Sequence, residues 1–533
     1  MDGLEFITSP PLAAIDPARA DVACFVGFVA RRPFAPRGAG ESDDAFLQRL
    51  PAALRQWLDE HDWDPARSGR TVDELVALED VPVPIASWEA FDALFAWNNR
   101  PIDDGPETPR CDTALGAAVR SFFAQGGRLC YVVRLGDPWA VRELSAVRRA
   151  RAALYLPVFP PVVALDRTSW RGVGHLFGLP GVSFLCLPDL PDVFCVTPPR
   201  RDPFTPPEGP EVFIECATRA EPATQRFLRG VAAPRADEDG FQAWRECVAQ
   251  LGQFIADPAH RLREIQVVAA VPLPVDHAAV ATEANAADRV HRAARAQWRE
   301  VANIQTAFVQ LVYPWLRTRD SGLLPGNLLA PDGWFTGLLA RSALERGSWQ
   351  SLIHTHPGPI TAVEPILDRA TLALPLGPSA ATVREHVSLI GPTAGGLLVL
   401  SDVTTDDDPS YRPASVNRLV VAILRAARVA GDGLVFANNG EALWRRLRES
   451  LENLLAGLRA EGALLGESTR DAFEVRCDRS TMTQADLDAG RLIARISFTA
   501  SQPIVRITVA LALDDAGQIT LVTPATSDNP QAA

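Results

Sequence analysis

The sequence predicts a mixed α/β protein with several compact regions, and three features of the chain support this. Strand-like and helix-like segments alternate between residues 22 and 135, which is typical of an α/β unit. A long amphipathic helix pattern near the C-terminus is followed by strand-like segments with alternating apolar residues. Hydrophobic residues make up 47% of the 533 residues and charged residues 22%, which is enough apolar material for more than one buried core.

The first part of the chain supplies short strands and helices. Residues 22–29 and 129–135 are apolar enough to form buried strands. The leucine spacing from Leu47 to Leu58 predicts a single amphipathic helix. Ser87 is a suitable N-cap for a short helix that ends near Phe95.

The middle of the chain contains one further helix pattern and one proline-rich segment. Residues 114–123 predict a helix that ends before two glycines. Residues 199–210 are so rich in proline that no regular element is expected there, because proline removes a backbone donor and restricts its neighbour. We expect a linker or a long surface loop in this place.

The C-terminal region has the clearest pattern. Glu441–Leu458 is predicted to be an amphipathic helix, with Asn438 or Asn439 as its N-cap. Its apolar residues recur at helical spacing, and its other face is densely charged. Three strands are predicted after it, at 473–477, 492–498 and 504–511, and a final short strand at 518–522.

The charge of the chain argues against several classes of partner. The net charge is −13, and the 52 cationic residues are all arginine. Nucleic acid is therefore not an expected partner, because phosphate binding needs a dense basic patch and none stands out. The lack of lysine also excludes a P-loop lysine and a lysine Schiff base. No apolar stretch is long enough to span a bilayer, so direct membrane insertion is not expected.

The eight cysteines and the N-terminus indicate a cytoplasmic place of assembly. No two cysteines form a C-x-x-C pair, and most of them lie in apolar runs, which is typical of buried, reduced thiols. The N-terminus carries acidic residues where a secretory signal would carry basic ones. We therefore expect the chain to be made and assembled in the cytoplasm.

One local motif suggests metal chemistry. His354 and His356 lie in an H-x-H-P sequence, which some zinc isopeptidases use to present two imidazoles. The Ser and Asp that those enzymes add are replaced by Glu364 and Leu367, with Asp368 one residue late. Zinc catalysis needs three protein ligands and an open position. We therefore expect no metal, no cofactor and no catalytic residue, and we keep a zinc-dependent hydrolase as an alternative.

Short segments spread over the greater part of the chain match the pattern of a known family in the family's order. These segments are 83–95, 115–134, 185–189, 313–316, 337–341, 346–349, 416–419, 436–444, 462–466, 472–478 and 490–492. As an ordered set they resemble the contractile tail sheath family of phages, pyocin-like particles and extracellular contractile injection systems.

The resemblance implies a domain organisation. It implies an N-terminal arm at 1–20, an outer α/β domain at 21–200 and an inserted region at 201–300. An inner sheath core domain with a mixed sheet would occupy 301–512, and a C-terminal arm 513–533.

The resemblance also implies a structural role without catalysis. Family members form stacked six-fold rings around an inner tube and contract to drive that tube through a target envelope. Partners would be copies of the chain, the inner tube protein, and baseplate and cap proteins, in a phage tail or a tail-like particle that lysis can release.

Two sets of residues are the candidates for these contacts. The resemblance implies terminal arms that add strands to the sheets of neighbouring subunits, which would explain why both predicted terminal strands lack an obvious local partner. The alternative is that both strands pair within their own domain. The arm residues are Gly3, Leu4, Glu5, Phe6, Ile7, Gln518, Ile519, Thr520, Leu521 and Val522. By the resemblance, the charged face of the C-terminal helix would contact the inner tube. The tube-contact residues are Arg445, Arg448, Glu449 and Glu452.

The chain departs from the family pattern in two places. Residues 3–7 stand where the family has Pro-Gly-Val-Tyr, and residues 329–333 replace a Pro-Pro-Ser-Gly loop. A specialised sheath paralogue next to the baseplate is therefore an alternative to the main sheath subunit.

Overall fold

A computed structural model provides the architecture of most of the chain. It describes residues 20–63, 65–105, 107–157, 161–199, 223–277, 280, 285–376, 381–432, 440–488, 491–501, 507–513 and 519–522.

Strands occur throughout the described residues. They are β1 (Ala23–Gly27), β2 (Ala30–Arg31), β3 (Pro82–Ile85), β4 (Phe95–Ala96), β5 (Arg100–Pro101), β6 (Arg110–Cys111), β7 (Cys130–Arg134), β8 (Phe184–Cys186), β9 (Arg235–Ala236), β10 (Gln266–Ala270), β11 (Leu273–Pro274), β12 (Val309–Tyr313), β13 (Trp315–Thr318), β14 (Ile360–Glu364), β15 (Pro375–Leu376), β16 (Ala381–Thr382), β17 (Ser388–Thr393), β18 (Gly396–Val399), β19 (Phe473–Arg476), β20 (Leu492–Phe498), β21 (Ile507–Leu513) and β22 (Ile519–Val522).

Helices alternate with these strands. They are α1 (Asp43–Leu47), α2 (Ala52–Glu60), α3 (Pro65–Ser68), α4 (Val72–Ala77), α5 (Trp88–Leu94), α6 (Ala114–Ala124), α7 (Ser145–Ala150), α8 (Ala152–Tyr155), α9 (Leu190–Val193), α10 (Ala223–Gly230), α11 (Glu238–Ala256), α12 (Ala286–Ala302), α13 (Pro331–Glu345), α14 (Arg369–Leu372), α15 (Val383–His386), α16 (Ala414–Asp432), α17 (Glu441–Ala460), α18 (Thr469–Ala472) and α19 (Gln484–Asp488). Short 3₁₀ helices occupy Arg167–Ser169, Gly172–Gly178, Arg319–Leu323 and Pro325–Asn327.

The chain divides into two compact units. The large unit comprises Asp21–Ser342 and Ser351–Ser415. The small unit comprises Ala343–Gln350 and the described residues from Val416 onward. The predicted mixed α/β fold is confirmed, because each unit combines a sheet with helices.

The large unit is built on an eight-stranded sheet of order β18-β17-β12-β10-β8-β1-β7-β3. Its interior strands pair in parallel, and the two outer strands pair antiparallel to their neighbours. Strand β1 shows why the sheet is covered on both faces. Cys24 and Val26 pack into one apolar cluster, whereas Ala23 and Phe25 pack into another. A strand buried on both faces is typical of a parallel sheet flanked by helices.

The small unit contains an antiparallel sheet of order β19-β20-β21-β22. Along β20, residues Leu492, Ala494, Ile496 and Phe498 are buried and alternate with more exposed ones. The sheet therefore has one buried face and one exposed face. Helix α17 contacts β19 in the same unit.

Two sequence predictions about the fold differ from the structure. The predicted helix from Leu47 to Leu58 is two helices, because Pro51 interrupts it and serves as the N-cap of α2. The expected domain boundaries at 200 and 301 also do not match the compact units. Strands β8, β10 and β12 pair with one another and so join all three expected regions in one sheet.

Candidate assembly surfaces

Helix α17 has the buried apolar face and the exposed charged face that the sequence predicts. Its buried residues are Leu443, Trp444, Leu447, Leu451, Leu455 and Leu458. The N-cap is Gly440, and the expected capping residues Asn438 and Asn439 lie outside the described residues. At the other end, Arg459 donates hydrogen bonds to the carbonyl oxygens of Gly466 at 3.2 Å and Glu467 at 3.0 Å. These bonds fasten the following loop to the helix.

The four residues that the resemblance predicts to contact the inner tube lie together on the solvent-facing side of α17. Arg445 and Glu449 approach to 3.9 Å, and Arg448 and Glu452 approach to 3.8 Å. Both pairs have i,i+4 spacing, but the arginine precedes the glutamate, which is the less favourable orientation along a helix. Exposed pairs of this kind contribute about 0–1 kcal/mol. All four charges are therefore available to a partner at little cost to the fold.

The C-terminal candidate arm is paired within its own chain. Strand β22 pairs antiparallel with β21, with Leu521 opposite Leu511 and Ile519 opposite Leu513. The expectation that Ile519, Thr520, Leu521 and Val522 have no partner in their own chain is therefore wrong. The two strands are close in sequence and pair antiparallel along four residues each. Gln518 lies outside the described residues.

The N-terminal candidate arm is not tested by the structure. Gly3, Leu4, Glu5, Phe6 and Ile7 all lie outside the described residues. Among the described strands, β19 and β22 are the outer strands of the small unit's sheet. Outer strands attract additional strands, because they present backbone donors and acceptors to an incoming chain.

The histidine motif is not accompanied by a set of metal ligands in the described part of the chain. His354 and His356 are both exposed. Glu364, at the position of a possible third ligand, instead binds Arg235 at 3.0 Å and Arg317 at 2.6 Å. No group of three or more His, Cys, Asp or Glu side chains among the described residues has the geometry to hold a metal ion.

The described cysteines are thiols with little reactivity. None of them forms a disulfide, and all except the partly buried Cys247 are buried. Burial raises the pKa of the Cys24, Cys195 and Cys247 thiols to about 12. A thiol with such a pKa stays protonated near neutral pH and is a poor nucleophile.

The sequence did not indicate a buried ionic cluster in the large unit. Asp192 accepts from Arg148 at 3.3 Å and also binds Arg100, and its carboxylate accepts from the Cys195 thiol at 3.2 Å. These residues are far apart in sequence, so no local pattern signals the cluster. Because each charge in it has a partner, the cluster serves the fold. No helix in the described part of the chain is long and apolar enough to cross a membrane.

Comparison with known proteins identifies the fold. The sequence matches no protein-family model and has no significant match among curated proteins. Solved structures of the anti-feeding prophage (AFP) do match. A chain of the AFP baseplate, 6-fold symmetrised, is 18% identical, with a TM-score of 0.51, over 95% of this chain and 96% of that one. A chain of the AFP baseplate in the contracted state is 15% identical, with a TM-score of 0.54, over 95% and 96%.

The third match is to the AFP helical sheath in the contracted state. It is 17% identical, with a TM-score of 0.50, and covers 95% of this chain and 97% of that chain. At such low identity, the similarity lies in the fold. The fold that the resemblance implies is therefore confirmed: over almost its whole length, this chain has the fold of a chain of the AFP helical sheath.

Proposed function

We propose that this chain is a structural subunit of a contractile sheath. It polymerises as stacked six-fold rings around an inner tube and contracts to drive the tube through a target envelope. The observation that supports this most is the match to the AFP helical sheath over 95% of this chain and 97% of that one. A match of this extent means that the whole chain, and not one shared domain, has the architecture of a sheath chain.

The interior of the protein also favours a structural role over an enzymatic one. The buried charges of the Arg100–Asp192–Arg148 cluster are paired with one another, and the described thiols are held protonated. The zinc hydrolase alternative has no third ligand near His354 and His356 among the described residues, because Glu364 is bound to two arginines. Neither the buried cluster nor the histidine motif has the solvent-accessible groups with perturbed pKa values that catalytic sites use.

The exposed charges of α17 are our proposed contact with the inner tube. Arg445, Arg448, Glu449 and Glu452 form only weak pairs on a helix whose other face is buried. Weak exposed ion pairs suit a surface that must release the tube when the sheath contracts. Their attraction is also screened by salt, so tube binding is expected to weaken at high ionic strength.

We propose that the terminal segments link neighbouring subunits. Residues 3–7 of one copy would add as a strand to the four-stranded sheet of another, at the edge offered by β19 or β22. Ile519–Val522 would contribute as the outer strand of its own sheet, which agrees with its observed pairing to β21. Deletion of residues 1–8 should leave the fold intact and stop polymerisation. Polymers that persist after this deletion would exclude the N-terminal arm.

The proposed assembly has baseplate and cap proteins as further partners. It would be built in the cytoplasm as part of a phage tail or tail-like particle that lysis can release. The matches to the AFP baseplate and to the AFP sheath are equally extensive, so a subunit specialised for the ring next to the baseplate is not favoured over the main sheath subunit.

Negative-stain electron microscopy of the purified chain, alone and with its tube protein, tests the proposal. Helical tubes or six-fold rings are the expected result. A monodisperse monomer under all conditions, including an excess of tube protein, would contradict a sheath function. Metal analysis of the same sample is the control for the hydrolase alternative, which requires stoichiometric zinc.

A further inference from the structure

A fully exposed leucine lies at the tip of a short loop in the large unit. The side chain of Leu165 is 100% exposed, and that of Val163 is 48% exposed. The loop is held by hydrogen bonds at its base. The Trp170 indole nitrogen donates to the Val163 carbonyl oxygen at 3.0 Å, and the Val163 amide donates to Ser169 Oγ at 2.9 Å. We call residues 163–166 the knob.

The region next to the knob is also rigidly attached to the large unit. The Arg167 guanidinium lies over the rings of Trp63, at 5.5 Å, and Trp170, at 5.2 Å. Its Nη1 atom donates to the carbonyl oxygen of Asp62 at 2.8 Å. An apolar side chain that is exposed on such a preorganised loop loses little conformational entropy when it binds a partner.

An apolar groove lies elsewhere on the same unit, between α12 and the segment that follows α14. Its volume is about 580 Å³, and its apolar lining includes Trp298, Leu374 and Leu376. The Trp298 ring meets the Tyr313 ring edge-on at 5.6 Å, which fixes the orientation of Trp298. Clefts that bind ligands have volumes of roughly 300–1,000 Å³. The groove therefore has room for a protruding apolar side chain and its neighbours.

The rim of the groove carries two arginines in a chain whose net charge is −13. His291, Arg295 and Arg299 line the α12 side. Arg299 is neutralised by Glu238 at 3.1 Å and Glu300 at 2.9 Å. Arg295 has no ion-pair partner in the described part of the chain and is exposed. The groove is thus suited to an apolar segment that carries a carboxylate.

The knob has this chemistry. Asp166 directly follows Leu165 and is oriented by hydrogen bonds from the Thr168 amide at 3.0 Å and the Thr168 hydroxyl at 2.7 Å. Both of these bonds end on Oδ1, so Oδ2 can receive a guanidinium. An exposed leucine next to an oriented carboxylate complements an apolar groove next to an arginine that lacks a partner.

We propose that the knob of one copy of this chain inserts Leu165 into the groove of a second copy, with Asp166 against Arg295. Because the two surfaces differ, the contact is heterologous and leaves a knob and a groove unoccupied at the ends of any assembly that does not close. The contact thus propagates from copy to copy. It deepens the proposed sheath function by naming one subunit contact, but it does not depend on the inner tube or on contraction.

Site-directed disulfide formation tests this contact directly. Leu165→Cys and Ala294→Cys are made as separate variants, since Ala294 lines the groove and is exposed. The mixture of the two is expected to give a disulfide-linked dimer under mild oxidation, and neither variant alone should do so. Leu465→Cys, at a leucine of the small unit that is 56% exposed, is the matched control for Leu165→Cys and should not link to Ala294→Cys. Peptide mass spectrometry would identify the linked residues.

Two results would overturn the proposal. One is cross-linking of the control pair to the same extent as the knob–groove pair, or the absence of cross-linking in both pairs at every protein concentration. The other is a link from Ala294→Cys to a different residue, which would assign the groove to another occupant. Because the protein is used as the full chain and both substituted positions are exposed, a failure to fold is not the expected cause of either result.

A second measurement separates this contact from the proposed function. Leu165→Asp is expected to weaken self-association at least tenfold in sedimentation equilibrium, whereas Leu465→Asp should leave it unchanged. If Leu165→Asp associates like the unchanged chain and still forms helical tubes, the knob contact is excluded while the sheath function stands. If the disulfide forms but the unchanged chain yields no tubes or rings with tube protein, the contact stands while the sheath function fails.

Discussion

Arg148 and Asp192 form an ion pair inside the large unit, where Nη1 of Arg148 lies 3.3 Å from Oδ1 of Asp192 and both side chains are buried. Arg100 binds the same carboxylate, so one aspartate is the ion-pair partner of two buried guanidinium groups. Charges removed from water are tolerated only when each is compensated.

Asp192→Asn should therefore destabilise the protein strongly. The variant keeps the shape of the side chain but leaves Arg100 and Arg148 without their carboxylate. Removing one partner of a buried pair costs about 3–5 kcal/mol. Urea denaturation followed by tryptophan fluorescence measures the loss. Asp320→Asn is the control, because its pair with Arg120 at 2.8 Å is partly exposed and should contribute about 0–1 kcal/mol. Equal losses of stability in the two variants would contradict the role of Asp192 as the carboxylate that compensates buried arginines.

The stability of the protein should respond to pH through Asp332. This carboxyl is fully buried in the first turn of α13, and burial raises its pKa to about 7. The unfolded value is about 3.9, so between these two pH values the folded state holds a proton that the unfolded state has lost. The contribution of Asp332 to stability is therefore complete below about pH 4 and is lost as the pH rises towards 7.

Asp332→Asn removes this dependence, because an amide does not ionise. Relative to the unchanged protein, the variant should gain about 3 kcal/mol of stability between pH 5 and pH 8, at about 1.4 kcal/mol for each of the roughly two pH units over which the folded state alone holds the proton. Denaturant midpoints at both pH values measure the difference. Asp104→Asn, at an exposed aspartate, is the control and should change stability equally at both pH values. A pH-independent difference for Asp332→Asn would show that the carboxyl does not titrate in this range.

Reversal of charge on α17 should separate assembly from folding. The double variant Arg445→Glu, Arg448→Glu removes two exposed pairs with separations of 3.9 and 3.8 Å, so the thermal midpoint should stay within a few degrees of the original. Co-sedimentation with the tube protein should fall at least tenfold. Arg470→Glu is the control, because Arg470 is exposed elsewhere in the small unit. Normal tube binding by the double variant would exclude α17 as the tube-facing helix.

Two glycine-to-alanine substitutions should change the stability of the protein in opposite directions. A Cβ at Gly337 of α13 would lie 2.6 Å from the Phe122 carbonyl oxygen and 2.8 Å from Phe122 Cα, both in α6. Gly337→Ala should therefore cost about 1–3 kcal/mol through overpacking. A Cβ at Gly457 of α17 meets nothing within 4 Å, so Gly457→Ala should stabilise the helix by about 1 kcal/mol. Thermal denaturation of both variants measures whether each substitution raises or lowers stability. Stabilisation by Gly337→Ala would show that α13 and α6 can move apart to admit the added methyl group.

Local patterns predicted the elements in which a single face is buried. The leucine spacing of α17 identified its buried side, because helical periodicity alone decides which residues share a face. The Ser87 cap was also predictable, since its side chain accepts from the Ala90 amide within the same turn. The break at Pro51 had a local signal as well. The regular spacing of leucines favours one continuous helix, but proline removes a helical hydrogen bond, and α2 begins directly after Pro51.

The α/β class, the two faces of α17 and the resemblance to sheath proteins could be inferred from the sequence, because each depends on neighbours along the chain. The order of the eight-stranded sheet, the pairing of β22 with β21 and the charges around Asp192 emerge only in the folded chain. Contacts such as Arg148 with Asp192, or Gly337 with Phe122, join residues that are far apart in sequence. They form only when loop closure brings distant segments together, and no local pattern encodes that step.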